Sequence, residues 1–286
     1  MSKCFLSELK TFCTTKWLWV VFLVVIILGI QHTVNNINNA QSIVEFNLHF
    51  QEMLEGYGEA TENSTVRFHS EMLEVYQAHS PQMVLNNTLA YMTVIGMLIL
   101  PIVSAVFVGI EYSGTRVIKT KASIYTLPKV FLSKIVVIAL SLIVFLAVHS
   151  FVNVAVGSVL WNARLAEHFT ELAFENSVSI SLMAAFSATF AILIFHSTIA
   201  FFATILFKNP IAGVVASFAI IFIPDRFSSQ IFFFSIFNET FFYNSISNIV
   251  FNMPGLHSVT TSVAVLTAVF TLVLGLIFVT SKKQRN

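Results

Sequence analysis

Charged side chains gather between Gly109 and Lys134, where Arg116, Lys119, Lys121, Lys129 and Lys134 accompany a single acid, Glu111. Such groups pair with carboxylates and phosphates; they do not make a catalytic centre by themselves. Elsewhere the bond-making constellations are missing. Asp225 is the only aspartate, which excludes a paired-aspartate membrane protease. No Gly-x-x-x-x-Gly-Lys-Ser/Thr loop cradles nucleotide phosphates, no His-Glu-x-x-His holds zinc, and no Gly-x-Ser-x-Gly presents a nucleophile. His149 and His196 lie in apolar runs and read as hydrogen-bonded packing residues. His49 and Glu52 share a helix face, yet without a second pair they read as part of a solvated acidic surface. No Asp or Glu sits mid-run, which argues against an ion-coupled proton relay. The expectation is a chain that is not an enzyme and binds no cofactor or metal of its own.

The elements that position these groups are apolar. Hydrophobic residues make up 56% of the 286 residues and charged residues 10%, against about 25% charged in a soluble domain. The formal net charge of +1 gives no reason to expect nucleic acid as a partner; membrane lipid is the expected neighbour. The pattern predicts an all-α polytopic membrane protein forming a single transmembrane domain over 1–286. Residues 1–16 form an interfacial arm, with Phe5, Leu6, Leu9, Phe12 and Cys13 as its apolar face. Six spans are expected at 17–34, 89–110, 130–160, 178–207, 211–227 and 259–280. No small-x-small cleavage site follows the first, so it is read as retained. Pro101 offers a kink in the second. Lys208-Asn209-Pro210 reads as a tight turn between the fourth and fifth. The fifth either crosses to about Phe227 or breaks at Pro224. The Phe-rich segment 228–257, broken by polar residues, reads as outer or re-entrant. Gly213/Ser217 and Ala184/Ala188 suit close helix packing.

Residues 35–88 carry seven glutamates against Arg67 alone. A helical hairpin is expected there, with helices at 41–56 and 65–79 and Pro81 ending the second. Glu52-Met53-Leu54-Glu55-Gly56-Tyr57 is echoed by Glu71-Met72-Leu73-Glu74-Val75-Tyr76; shared helix logic explains it more simply than a true repeat. Asn63, Asn86 and Asn238 open Asn-x-Ser/Thr sequons.

Charge sorting orients the layout. With both termini, 111–134 and Lys208 on one side, that side holds 12 of the 15 Lys and Arg, and only Glu8 and Glu111 among 14 acids. The positive-inside rule then places both termini in the cytosol and the acidic hairpin outside. The cytosolic stretch 113–127 is amphipathic. Val117, Ile118, Ala122, Ile124 and Tyr125 share one arc, with Lys121 breaking it; Thr115, Arg116, Lys119, Thr120, Ser123 and Thr126 share the other, broken by Leu127.

Glu111, Gly114, Thr115 and Arg116 after a second span, then Pro128 and Ser133-Lys134 opening a third, resemble the type-2 ATP-binding-cassette exporter permeases. Here Leu127-Pro128-Lys129-Val130 is a variant of that family's usual run. The resemblance extends in outline to the six spans and the cytosolic termini; the acidic hairpin is no part of its motif. It implies a permease without ATPase motifs, paired with a second permease, like or unlike, and driven by a separate ATP-binding subunit that carries ATP and magnesium. The segment 113–127 would be the coupling helix, with Glu111, Gly114, Thr115, Arg116, Lys119 and Lys121 as ATPase-coupling residues. The expected setting is the cytoplasmic membrane of a bacterium. The resemblance implies export; the Phe-rich outer segment and few buried charges favour an amphipathic or hydrophobic substrate such as a peptide, antimicrobial or drug, while the acidic hairpin reads as a soluble lid that could also meet a cationic peptide. Two alternatives remain: a non-transporting immunity or sensor protein that binds a toxin or peptide through its hairpin, and an ion-driven carrier with no ATPase.

Overall fold

A computed structural model describes residues 2–58, 62–113, 127–170, 182–227 and 274–275. Among these the chain is helical and contains no strand. In order, the helices are α1 Ser2–Thr14, α2 Lys16–Gly56, α3 Glu62–His79, α4 Pro81–Ser113, α5 Leu127–Arg164, α6 Ala166–Thr170, α7 Leu182–Phe207 and α8 Pro210–Phe227. Four of them, α2, α4, α5 and α7, are long and apolar enough to cross a membrane. The span expected at 211–227 falls on the shorter α8, which continues through Pro224. The one expected at 259–280 lies outside the described residues except at 274 and 275, as does the whole of 228–257.

The first span and the first hairpin helix form a single rod. α2 has 41 residues, roughly 60 Å at 1.5 Å per residue, about twice the hydrocarbon thickness of a bilayer. Nothing between Gly29 and Gly56 breaks it: there is no proline, and the polar residues from Asn35 to Asn39 are compatible with a helix. α3 and α4 meet at Ser80. Its carbonyl accepts from the amides of Met83 and Val84, and Pro81 takes the first helical position, where a missing N–H costs nothing.

The residues divide into two compact units. One contains 24–91 and 147–182. Its core joins Ile37, Ala40 and Val44 of α2 to Met72 and Val75 of α3 and to Trp161, Leu165 and Phe169. Trp161 and Phe169 stack at 5.3 Å, and Tyr76 leans on both at 5.9 and 5.6 Å. Deeper in the unit, Thr33 donates to Asn153 Oδ1 at 3.1 Å, and Gly29 lets α2 approach α5. A Cβ at Gly29 would stand 2.4 Å from His149 Nε2. Asn86 is buried within α4, so its sequon is not presented at a surface.

The other unit contains 1–23, 92–146 and 183 onward. Here α4 and α7 meet through buried Thr93 and Thr189, 3.1 Å apart. α7 and α8 pack where Gly213 faces the Ala200 carbonyl, 2.4 Å from where a Cβ would stand. One turn on, Ser217 lies 3.3 Å from His196 Nδ1, and both are buried. The α7–α8 turn places Lys208 at φ 53°, a left-handed conformation that costs a side chain roughly 1 kcal/mol. Asn209 Oδ1 then caps α8 by accepting from the Ile211 amide at 2.9 Å.

This turn yields opposed expectations. Asn209→Ala removes the cap and lowers stability by about 1 kcal/mol, whereas Lys208→Gly relieves the left-handed residue and raises it by a similar amount. Thermal unfolding in detergent measures both; equal signs would contradict this account of the turn.

Candidate functional site: a buried ion pair at the root of the 114–126 connector

The arm α1 buries a different face from the one its apolar residues suggest. Cys4, Glu8 and Phe12, each one turn apart, are inside; Leu6 and Cys13 are exposed. A carboxylate therefore sits in the middle of the buried stripe. Its partner is Lys134 of α5, which has no exposed surface. Nζ of Lys134 lies 2.8 Å from Glu8 Oε2 and 3.9 Å from the centroid of the Phe107 ring on α4.

Each residue is positioned by the helix that carries it. Phe12 meets Phe107 edge-on at 5.1 Å. At the other end of the stripe, Cys4 Sγ approaches the Lys129 carbonyl at 3.9 Å. Phe22 of α2 stacks on Phe145 of α5 at 4.5 Å and tilts against Phe12 at 6.2 Å. The indole N–H of Trp19 donates to the Cys13 carbonyl at 2.8 Å, satisfying one of the orphan acceptors at the end of α1. The result joins three elements: α1 through Glu8 and Phe12, α4 through Phe107, and α5 through Lys134.

Removing two ions from water costs several kcal/mol apiece, repaid only by close pairing and further favourable contacts. The ring face over Nζ supplies one such contact. The cluster is thus a clamp whose members are costly to separate, and its chemistry is mechanical rather than catalytic.

Its location matters because α4 ends at Ser113 and α5 begins at Leu127. Phe107 lies six residues before that gap closes on the α4 side, and Lys134 seven residues into α5. Both ends of the connector are therefore rooted in the clamp. Of the expected coupling residues, Glu111 falls in the last turn of α4; Gly114, Thr115, Arg116, Lys119 and Lys121 lie outside the described residues. Ser133 and Lys134 are both buried. Sequence reasoning counted Glu8 only as a stray acid on the basic side. The available signal was its four-residue spacing from Cys4 and Phe12.

A second polar feature belongs to the other unit. A recess with room for about one water is lined by His32, Thr33, Asn36, His79, Asn87 and Thr88, with Ile37 and Val84 as its apolar wall. His32 stacks on Tyr91 at 4.0 Å and lies 3.1 Å from the Asn36 amide. The Asn87 amide donates to the Ala78 carbonyl at 2.9 Å. Burial pushes the His79 imidazole below its ordinary 6.5. Among the described residues, no group of three or more His, Cys, Asp or Glu could hold a metal ion; His49 and Glu52 both stand exposed.

Compared with protein-family models, curated proteins and solved structures, the chain matches none.

Two outcomes follow from these geometries. Lys134→Met strands the buried Glu8 carboxylate and costs about 3–5 kcal/mol, while the Glu8→Leu/Lys134→Met pair recovers most of the loss; thermal melts of the three variants decide it, and additive losses would refute the clamp. At the recess, the more open form of the α3–α4 junction takes up a proton on His79 before the closed form does. Local stability is therefore complete above about pH 6.5 and declines as pH falls below it. Hydrogen exchange at residues 76–88, corrected for intrinsic rates, should accelerate on acidification in the native chain and lose that acceleration in His79→Gln.

Proposed function

We propose that this chain is the membrane-spanning permease subunit of a bacterial ATP-binding-cassette exporter. It would move an amphipathic or hydrophobic substrate, such as a peptide, an antimicrobial or a drug, outward across the cytoplasmic membrane. A separate subunit binds ATP and magnesium and performs the hydrolysis. Four helices of spanning length and composition support a membrane setting, and the sorting of Lys and Arg supports cytosolic termini.

The observation that carries the reading is the clamp at the root of 114–126. A coupling segment works only if force applied to it reaches the spans without being absorbed locally. The helices on either side of this segment are joined through Phe107 and Lys134 to each other and through Glu8 to the arm. When two ATPase subunits close on ATP, the basic connector is displaced, and α4, α5 and α1 move with it as one body. That is a lever acting on a two-state membrane assembly, and preferential ATP binding to one state supplies the bias. Arg116 and Lys119 are the charges offered to the ATPase. Lys121, which breaks the apolar arc, would limit the seating of the segment in the membrane and is a third charge offered to the ATPase.

The test is co-purification. Mild-detergent extracts of the native chain should retain an ATP-binding subunit, and Arg116→Glu/Lys119→Glu should weaken that retention by roughly tenfold. Lys121→Leu should seat the segment more firmly in lipid and reduce substrate-stimulated ATPase activity. An extract without any ATPase, together with indifference to the charge reversals, would overturn the exporter reading. Unchanged survival of cells with and without the gene across a panel of antimicrobial peptides and drugs would overturn the substrate class.

A further inference from the structure

The half of α2 that extends past its apolar run carries two stripes. One packs inward through Ile37, Ala40 and Val44. The other consists of Ile43, Phe46, Phe50 and Met53, with Tyr57 one residue past the helix end, all exposed, from 44% at Phe50 and Met53 to 78% at Tyr57. Their spacing alternates between three and four residues without a lapse. This is the a/d pattern of a two-stranded coiled coil. Phe46 and Phe50 already stack on each other at 6.2 Å along the stripe.

Lipid is not what covers it. With the hydrocarbon edge at the Asn35–Asn39 cluster, the stripe begins roughly 10 Å beyond that edge along the helix and continues to about 30 Å. The unbroken three–four spacing of the stripe points to protein instead. In α3 the repeated hexapeptide is used for packing: Met72 and Val75 are buried, and Tyr76 leans on Trp161. The matching Met53 of α2, and Tyr57 just past its end, stand bare.

We infer that the exposed stripe of α2 pairs with the same stripe of a second copy of this chain, as a short parallel coiled coil outside the bilayer. Two copies inserted in one membrane share an orientation, so their α2 helices run parallel. The self-pairing register then sets Ile43, Phe50 and Tyr57 against themselves at a, and Phe46 and Met53 at d. Charge permits it. The positions flanking the seam are Ser42, Asn47, His49, Leu54 and Gly56, none of them acidic. Glu45, Glu52 and Glu55 fall at c and f, away from the partner. Area is the limiting quantity. At 150–250 Å² for a fully buried aromatic, five partly exposed side chains offer roughly 500 Å² per copy, short of the ~800 Å² of a standard stable interface. Confinement of both copies to one membrane raises their effective concentration and makes up the difference. The inference goes beyond the exporter reading, which leaves the second permease like or unlike, and needs only that α2 spans a membrane.

The test uses the full chain expressed alone, so loss of an ATPase partner does not affect it. In a Cys4→Ser/Cys13→Ser background, Phe46→Cys, Phe50→Cys and Met53→Cys are oxidised in membranes. Paired a and d positions lie within disulfide reach, whereas c positions do not. Cross-linked homodimer should form at these three positions at least about fivefold more than at Glu45→Cys or Glu52→Cys. Adding Phe46→Glu/Phe50→Glu to Met53→Cys should abolish the cross-link while the chain stays folded, because the packed face of α2 is untouched. As a count independent of cysteine, photobleaching of the tagged native chain should show two steps, and of Phe46→Glu/Phe50→Glu one step. Equal cross-linking at stripe and control positions, adducts only with another protein, or single-step bleaching of the native chain would each overturn the pairing.

Discussion

A lysine with no exposed surface can remain charged only if a carboxylate comes to it, and the arrangement around Lys134 follows from that demand. Glu8 answers from α1, which fixes the rotation of the arm: with Glu8 inward, Cys4 and Phe12 must also face inward, and Leu6 must face out. Phe12 in turn edges onto Phe107, whose face covers the ammonium. The arm is therefore tied to α4 and α5 through Phe12 and Glu8. Its attachment is specific in register, because sliding by one residue would bury Leu9 and leave two ions without each other. An apolar pair of similar volume would hold such helices together at least as tightly. What the ion pair adds is a single allowed alignment, at the place where two spans leave for the connector.

The positions of the long helices were legible because sustained apolar runs have few other fates. What the runs did not reveal was continuity. Hydropathy falls at Asn35, and a reading by composition ends the first span there and starts a separate hairpin helix near residue 41. Helices, however, end where the backbone is broken or capped, not where the solvent changes. Between Gly29 and Gly56 there is neither a proline nor a capping glycine, so α2 continues through. The same logic explains Pro81, which reads as a stop yet serves as the first residue of α4. The closeness of Gly213 and Ser217 to α7 was visible as small residues one turn apart. The Gly29 approach to His149 had no such companion residue to mark it.

Glu8 was the hardest element to see. Sorting charges by side treats each ion as facing water, which is the right prior for most of them and the wrong one here. The pairing of residues 8 and 134 is a tertiary fact that no local period encodes. By contrast, the proposed coupling residues stand out in the sequence through a family resemblance, and those from Gly114 to Lys121 lie outside the described residues; the clamp joins the helices that flank them.

α2 ties these two regimes together. Over its first half, exposed Trp19, Val20, Leu23, Val24 and Ile27 are what a lipid-facing helix should display, and they ask for no protein partner. Over its second half the same apolar exposure in water carries a free-energy cost. The exposed face has also rotated, from 20, 23, 24 and 27 to 43, 46, 50 and 53. A single seam running the whole length would have kept one face throughout. The change of face means that the outer stripe is not a continuation of the lipid-facing surface. It is a separate surface, with a seven-residue period of its own, beginning only after the polar cluster at Asn35–Asn39. A long helix that is apolar along one edge beyond its spanning run is suited to pair with a second copy of itself. The clamp, within the other unit of the fold, joins α1 to α4 and α5 through Glu8, Phe12, Phe107 and Lys134.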